Sequence, residues 1–182
     1  MTTGFSTEQL QAHVARLRRH ARALTGSREA ADDLTQDTLE RAWNKRALWR
    51  DEGTGDAPAS LRAWLHAVMH NVFINGTRRR RSTESIDDLP DSSSALHAVG
   101  ASAETRAALR DLQRALARLP DEQREVVLLV GLEQLSYAEA ATALGVPIGT
   151  VMSRLSRGRE RLRQLLNESP DATGSGGLRR IK

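Results

Sequence analysis

Five arginines crowd one short stretch of the chain, at positions 154, 157, 159, 161 and 163. Their spacing is that of a helix. At about 100° per residue, Val151, Leu155, Gly158, Leu162 and Leu166 fall on one apolar stripe. Ser153, Ser156, Arg157 and Gln164 lie opposite, with Met152 beside them. Arg154 and Arg161 flank this polar face on one side, Arg159 and Arg163 on the other. A helix in the major groove of duplex DNA needs such a layout. Short polar groups and one arginine reach base edges, and flanking arginines reach the two phosphate walls. The competing reading is a solvated basic helix in a bundle, because charge runs often simply face water.

The elements around the arginines favour DNA. Ser136 followed by Glu139 makes a capping box and predicts a helix start. Gly145 predicts that helix's end, and the GVP turn with Gly149 and Thr150 predicts the start of the next. Ala138, Ala140 and Ala141 permit close helix crossing. The result is a helix-turn-helix spanning Leu135 to Leu166.

A second candidate face lies in the first half. Asp33, Gln36, Asp37, Glu40 and Asn44 share one side of a predicted helix, while Ala31, Leu34, Thr38, Leu39 and Ala42 face elsewhere, toward a core. Spacing alone leaves this stripe either an ordinary solvated face or a docking surface for a basic partner helix. Acid on an otherwise DNA-binding chain points to a protein partner, since phosphate would repel it.

The segment LRAWLHAVMHNVFINGTRRRR predicts a third helix with a broad apolar face, ending in Arg78, Arg79, Arg80 and Arg81. One or two arginines there would suit the helix dipole, whereas four in a row mark a polyanion contact. Trp49 borders a polar loop and has less reason to be core than Trp43 or Trp64. It suits either stacking on an unpaired base or apolar anchoring of the loop. His66 and His70 are one turn apart, but nothing nearby in sequence completes a ligand set and HAVMH is not HEXXH. They are expected at the surface or facing phosphate, with no metal bound. No serine or aspartate finds the partners of a nucleophilic triad, so no catalytic residue is expected.

Composition agrees. The 182 residues carry a formal net charge of +4 and a pI near 10.5, favouring a polyanionic partner. There is no cysteine, which excludes a disulfide framework and a thiolate zinc site and fits a reducing cytoplasm. No secretory signal or membrane-spanning apolar run is evident. Strand alternation is absent. Helices are predicted over 7–24, 27–48 with Ser27 as N-cap, 59–80, and from 104 to 119. Pro120 begins another through EVVLLVGL. Between the halves, 82–103 is serine-rich and acidic without lysine or arginine, a flexible tether. The expected fold is all-α: two small helical domains, 1–81 and 105–167, joined by an acidic linker, 82–104, with a disordered tail, 168–182.

Taken in order, ADDLTQDTLERAW, LRAWLHAVMHNVFINGTRRRR, LARLPDEQREVVLLV and LSYAEAATALGVPIGTVMSRLSRGRERLRQLL resemble a bacterial RNA polymerase sigma factor of the extracytoplasmic function group. The resemblance covers most of the chain. It implies a transcription initiation factor, with no enzymatic activity and no cofactor, that joins core RNA polymerase and directs it to promoters. By resemblance, Asp33, Gln36, Asp37, Glu40 and Asn44 dock on the beta-prime clamp helices, and the second domain meets the beta flap. Trp49, Asn71 and Arg78 to Arg81 would serve the minus-ten element. Thr150, Met152, Ser153, Arg154, Ser156, Arg157, Arg159 and Arg161 would serve the minus-thirty-five element. A cognate anti-sigma antagonist is common in that group. Two departures stand out: the loop RDEGTGDAPAS is longer and richer in glycine than in many relatives, and Met152 replaces an arginine found in some. The runner-up is a conventional helix-turn-helix regulator that forms no holoenzyme. A helical protein-interaction module and an enzyme built on His66 and His70 follow behind.

Overall fold

The computed structural model describes residues 4–49, 61–83 and 102–168, with only the backbone for 78–83. These residues form α1 (Thr7–Thr25), α2 (Arg28–Asn44), α3 (Leu61–Thr83), α4 (Ala103–Ala117), α5 (Asp121–Gly131), α6 (Tyr137–Leu144) and α7 (Ile148–Asn167), with one 3₁₀ turn at Arg46–Leu48. No strand occurs among them, and the protein is all-α. No helix among them is long and apolar enough to cross a membrane. The loop 50–58, most of the proposed tether and the C-terminal tail lie outside the described residues.

The helix boundaries have local causes. Ser6 and Gln9 close a capping box on α1, and Ser27 accepts from the Ala30 amide (3.4 Å) to start α2. Ser102 does the same for α4 through Thr105 (3.2 Å). Pro120 and Pro147 precede α5 and α7, where a missing N–H costs nothing because the first-turn amides have no helical acceptor. Two threonines buried on α2 return their hydroxyls to the backbone, Thr35 to Ala31 O (2.7 Å) and Thr38 to Leu34 O (2.6 Å). A polar side chain is thereby satisfied in an apolar layer.

The two halves are packed against each other. Leu17, Ala21 and Leu24 of α1 and Leu65, Val68 and Met69 of α3 share one core with Ala115, Leu116, Leu119, Leu128 and Leu165 of the second half. A second core, of Val126, Leu129, Leu135, Ala140, Leu144, Val151 and Leu155, takes in Ala63 from α3. Helix α3 lies along α6, and α1 meets α4 and α5. Each half has too few residues for a large core of its own, and the shared apolar layer supplies the remainder.

Candidate nucleic-acid and partner interfaces

The helix-turn-helix is built by α6 and α7 against α5. Ser136 Oγ accepts from the Glu139 amide (3.2 Å), and Glu139 Oε2 accepts from the Ser136 amide (2.8 Å). Gly145 closes α6 at φ +63°, a left-handed value that a Cβ disfavours. The Gly145 and Val146 amides return to Thr142 O (3.3 Å) and Ala141 O (3.1 Å), a Schellman closure. Helix α7 then seats Val151, Leu155 and Gly158 inward. Leu165 joins them as a fully buried position where the wheel had placed Leu162 and Leu166, which are half-buried.

The outward face carries the predicted groups unequally. Met152, Ser153, Ser156, Arg157, Arg159 and Arg161 are exposed, and Thr150 is half-buried. Ser153 donates to Thr150 O (3.1 Å). Arg157 folds back along the helix, donating to Ser153 O (3.2 Å) and Ser153 Oγ (3.3 Å). Arg154 is instead held by Glu122 of α5 at 2.7 Å. Arg163 is paired with Glu160 at 2.8 Å. Met152 is 52% exposed and sits with Tyr137 beside this face.

On α2, Asp33, Gln36, Asp37, Glu40 and Asn44 are all exposed, while Ala31, Leu34, Thr38 and Ala42 are buried. The stripe therefore forms one continuous polar surface. Asn71 is exposed on α3 and donates to Ala67 O (2.9 Å). Arg78 to Arg81 continue α3 as backbone, and nothing is assigned to their side chains.

Trp49 corrects one expectation. Rather than standing free beside the loop, it is only 8% exposed and packs edge-on to Phe5, ring centroids 6.1 Å apart. The cause is the 3₁₀ turn after α2, which swings the chain back over the N-terminal core. In this arrangement the Trp49 ring is buried against Phe5 rather than exposed. Trp43, expected in the core, is 38% exposed, with the Arg46 guanidinium 4.4 Å above its ring.

The histidines correct another. His66 is buried and His70 is partly so, and they turn toward the second half instead of toward solvent. His70 Nδ1 lies 2.7 Å from Glu125 Oε1. His66 Nε2 lies 3.2 Å from Glu133 Oε2. Glu133 is 1% exposed and also meets Arg16 (Nε to Oε2, 2.7 Å) and His20 (Nδ1 to Oε1, 3.6 Å). Burial alone would raise the Glu133 carboxyl. The two imidazoles outweigh it and hold the group well below the usual carboxylate range. Burial lowers His66, opposed in part by Glu133. Gln134, at φ +55°, makes the turn that aims Glu133 inward and leaves Leu135 free to enter the core. No local sequence signal marks this cluster, because its members come from α1, α3 and the α5–α6 turn.

Comparison with known proteins places these surfaces in a family. A model described as Sigma-70, region 4 matches residues 109–162, and one described as the Sigma2 domain of PhyR matches 10–70. The chain is 32% identical to the ECF RNA polymerase sigma factor EcfG of Rhodopseudomonas palustris, over 87% of this chain and 83% of that protein. The chain belongs to the ECF RNA polymerase sigma factors. It is also 34% identical to the sigma factor SigE of Mycolicibacterium smegmatis, over 91% of this chain, and spans 63% of that relative's length. Among solved structures, it is similar to the sigma factor RpoE of Bartonella quintana, in complex with the anti-sigma factor NepR. The TM-score is 0.66 at 32% identity, over 89% of this chain and 96% of that one. Within this sigma factor, the region 4 match contains the whole helix-turn-helix except the last turn of α7. The Sigma2 match contains the polar face of α2 and the buried histidines of α1 and α3.

Proposed function

We propose that the protein joins core RNA polymerase through α2 and delivers it to promoters read at two elements. Asp33, Gln36, Asp37, Glu40 and Asn44 form the polymerase-docking face, opposite the beta-prime clamp helices. The second half meets the beta flap and reads the minus-thirty-five element. Arg157, Ser153, Ser156, Met152 and Thr150 face the bases, and Arg159 and Arg161 the phosphates. Arg154 reaches DNA only by leaving Glu122. Asn71 and Arg78 to Arg81 serve the minus-ten element, with Trp49 bracing that region from within. The working units are 1–81 and 105–167, tethered by 82–104.

One observation carries this reading. A single chain pairs an exposed acidic and polar face on α2 with exposed guanidinium groups on the second helix of a helix-turn-helix. The first suits a basic protein surface and the second suits phosphate, and a sigma factor requires both. The protein makes and breaks no bonds. Melting draws on the binding energy of captured bases. Its place is the cytoplasm, beside core polymerase and DNA. The relative solved with NepR supports an anti-sigma antagonist as a further partner.

Run-off transcription from promoter fragments tests the reading, using sigma-free core polymerase with and without the protein. Specific transcripts should appear only when the protein is added and should vanish with Asp37→Arg, which reverses charge at the centre of the docking face. Footprinting of duplex DNA by the protein alone, without initiation by polymerase, would favour a conventional helix-turn-helix regulator.

A further inference from the structure

We infer that His20, His66 and Glu133 form a divalent metal site, of zinc-type chemistry, that clamps the two halves of the protein together. The three side chains are 3%, 2% and 1% exposed. They come from α1, α3 and the α5–α6 turn, and their ligand atoms all lie within 4.8 Å of one another. Two imidazoles and a carboxylate are a known zinc donor set, and tetrahedral bonds of about 2.0–2.1 Å separate ligand atoms by roughly 3.3 Å. Glu133 Oε1 lies 3.6 Å from His20 Nδ1, close to that edge length, and Oε2 lies 3.2 Å from His66 Nε2. A small turn of the carboxylate brings Oε1 toward both imidazoles.

The state of one polar atom supports an ion. His20 Nδ1 is fully buried yet makes no well-directed hydrogen bond, whereas buried polar atoms are nearly always satisfied and exceptions point to an ion or water. Arg16 stands 2.7 Å from Oε2 with its side chain 37% exposed. It would keep that oxygen oriented while Oε1 turns to the ion, as partners behind a metal's ligands do. Arg16 beside Glu133 and Arg62 near His66 oppose a cation electrostatically.

The consequence follows from the placement. Two ligands belong to the first half and one to the second, so an ion stabilises the packed arrangement by mass action. On the reading of this chain as a sigma factor, metal would restrain separation of its two DNA-reading halves.

The test is titration of the full-length chain with Co²⁺, read by its visible absorption, followed by displacement with Zn²⁺. Small-angle scattering with and without Zn²⁺ reports compaction. Saturation at one ion per chain is expected, with the absorption of a low-symmetry four-coordinate site of three protein ligands and one water. Affinity should fall by about tenfold or more in His20→Gln and in Glu133→Gln. His70→Gln, one turn along α3, should bind as the unmodified protein does. No saturable binding to the unmodified chain, or binding that survives both ligand substitutions, would overturn the assignment. Should a ligand variant unfold, the titration of the unmodified chain decides by itself. None of these readouts involves transcription, so failure here and failure of the sigma-factor reading remain separate.

Discussion

The close α5–α7 crossing, which orients the helix proposed to read DNA, rests on Gly158, and replacing it with alanine tests that. A Cβ at this position would stand 2.8 Å from Val127 Cγ2, 3.3 Å from the Gln123 carbonyl oxygen and 3.4 Å from Gln123 Cβ. In an unobstructed helix, Gly→Ala is worth about 0.8–1 kcal/mol in the favourable direction. Here the nearest neighbour is a β-branched side chain, held in one rotamer within α5, and the second is backbone. Neither can yield without widening the α5–α7 crossing and loosening Val126, Val151 and Leu155. Overpacking of this kind costs about 1–3 kcal/mol. The stiffness of both neighbours places this case in the upper part of that range. The net expectation is a loss of about 1–2 kcal/mol once the helix-propensity gain is subtracted. For a chain of this size that is a fall in Tm of roughly 3–6 °C. Gly149→Ala, on the same helix, is the control, because nothing lies within 4 Å of its added Cβ. Urea unfolding and thermal melts of both variants give the answer. If Gly158→Ala proved as stable as Gly149→Ala, the tight α5–α7 crossing would be refuted, and with it the proposed means by which α7 is aimed.

Four further outcomes are expected. Arg157→Ala should reduce discrimination among minus-thirty-five variants by about 1–3 kcal/mol. Arg159→Ala should weaken all duplexes alike and lower the salt slope by about one; binding to a panel of duplexes at several salt concentrations separates the two. Trp49→Ala should cost about 3–5 kcal/mol on denaturation, whereas a loss near zero would return Trp49 to the surface. The His66 imidazole is lowered from its ordinary 6.5, chiefly by burial. The folded protein therefore binds that proton less readily than the unfolded chain, and stability should fall as pH drops below about 7. His66→Phe should flatten the pH dependence of Tm between neutral and mildly acidic buffer, and an unchanged slope would exclude His66 as its source.

Local chemistry and period were legible in the chain itself. Ser27, Ser136, Glu139 and Gly145 announced helix ends because caps act within one turn. The outward positions on α2 and α7 followed from the helical repeat, since each helix buries one side only. Even the boundaries moved by a few residues at most, as where α2 gave way to a 3₁₀ turn at Arg46–Leu48. What the tertiary structure decided were the contacts between residues far apart in the chain, which no period encodes. Trp49 turned inward because Phe5 and the N-terminal core lay behind it. Arg154 was drawn from the basic face by Glu122 of another helix. His66 parted from His70 and met His20 and Glu133, because packing α3 along α6 buried its histidine side against the second half. A wheel shows which side of a helix is apolar or charged, but which surface meets it depends on how the helices pack around a shared core.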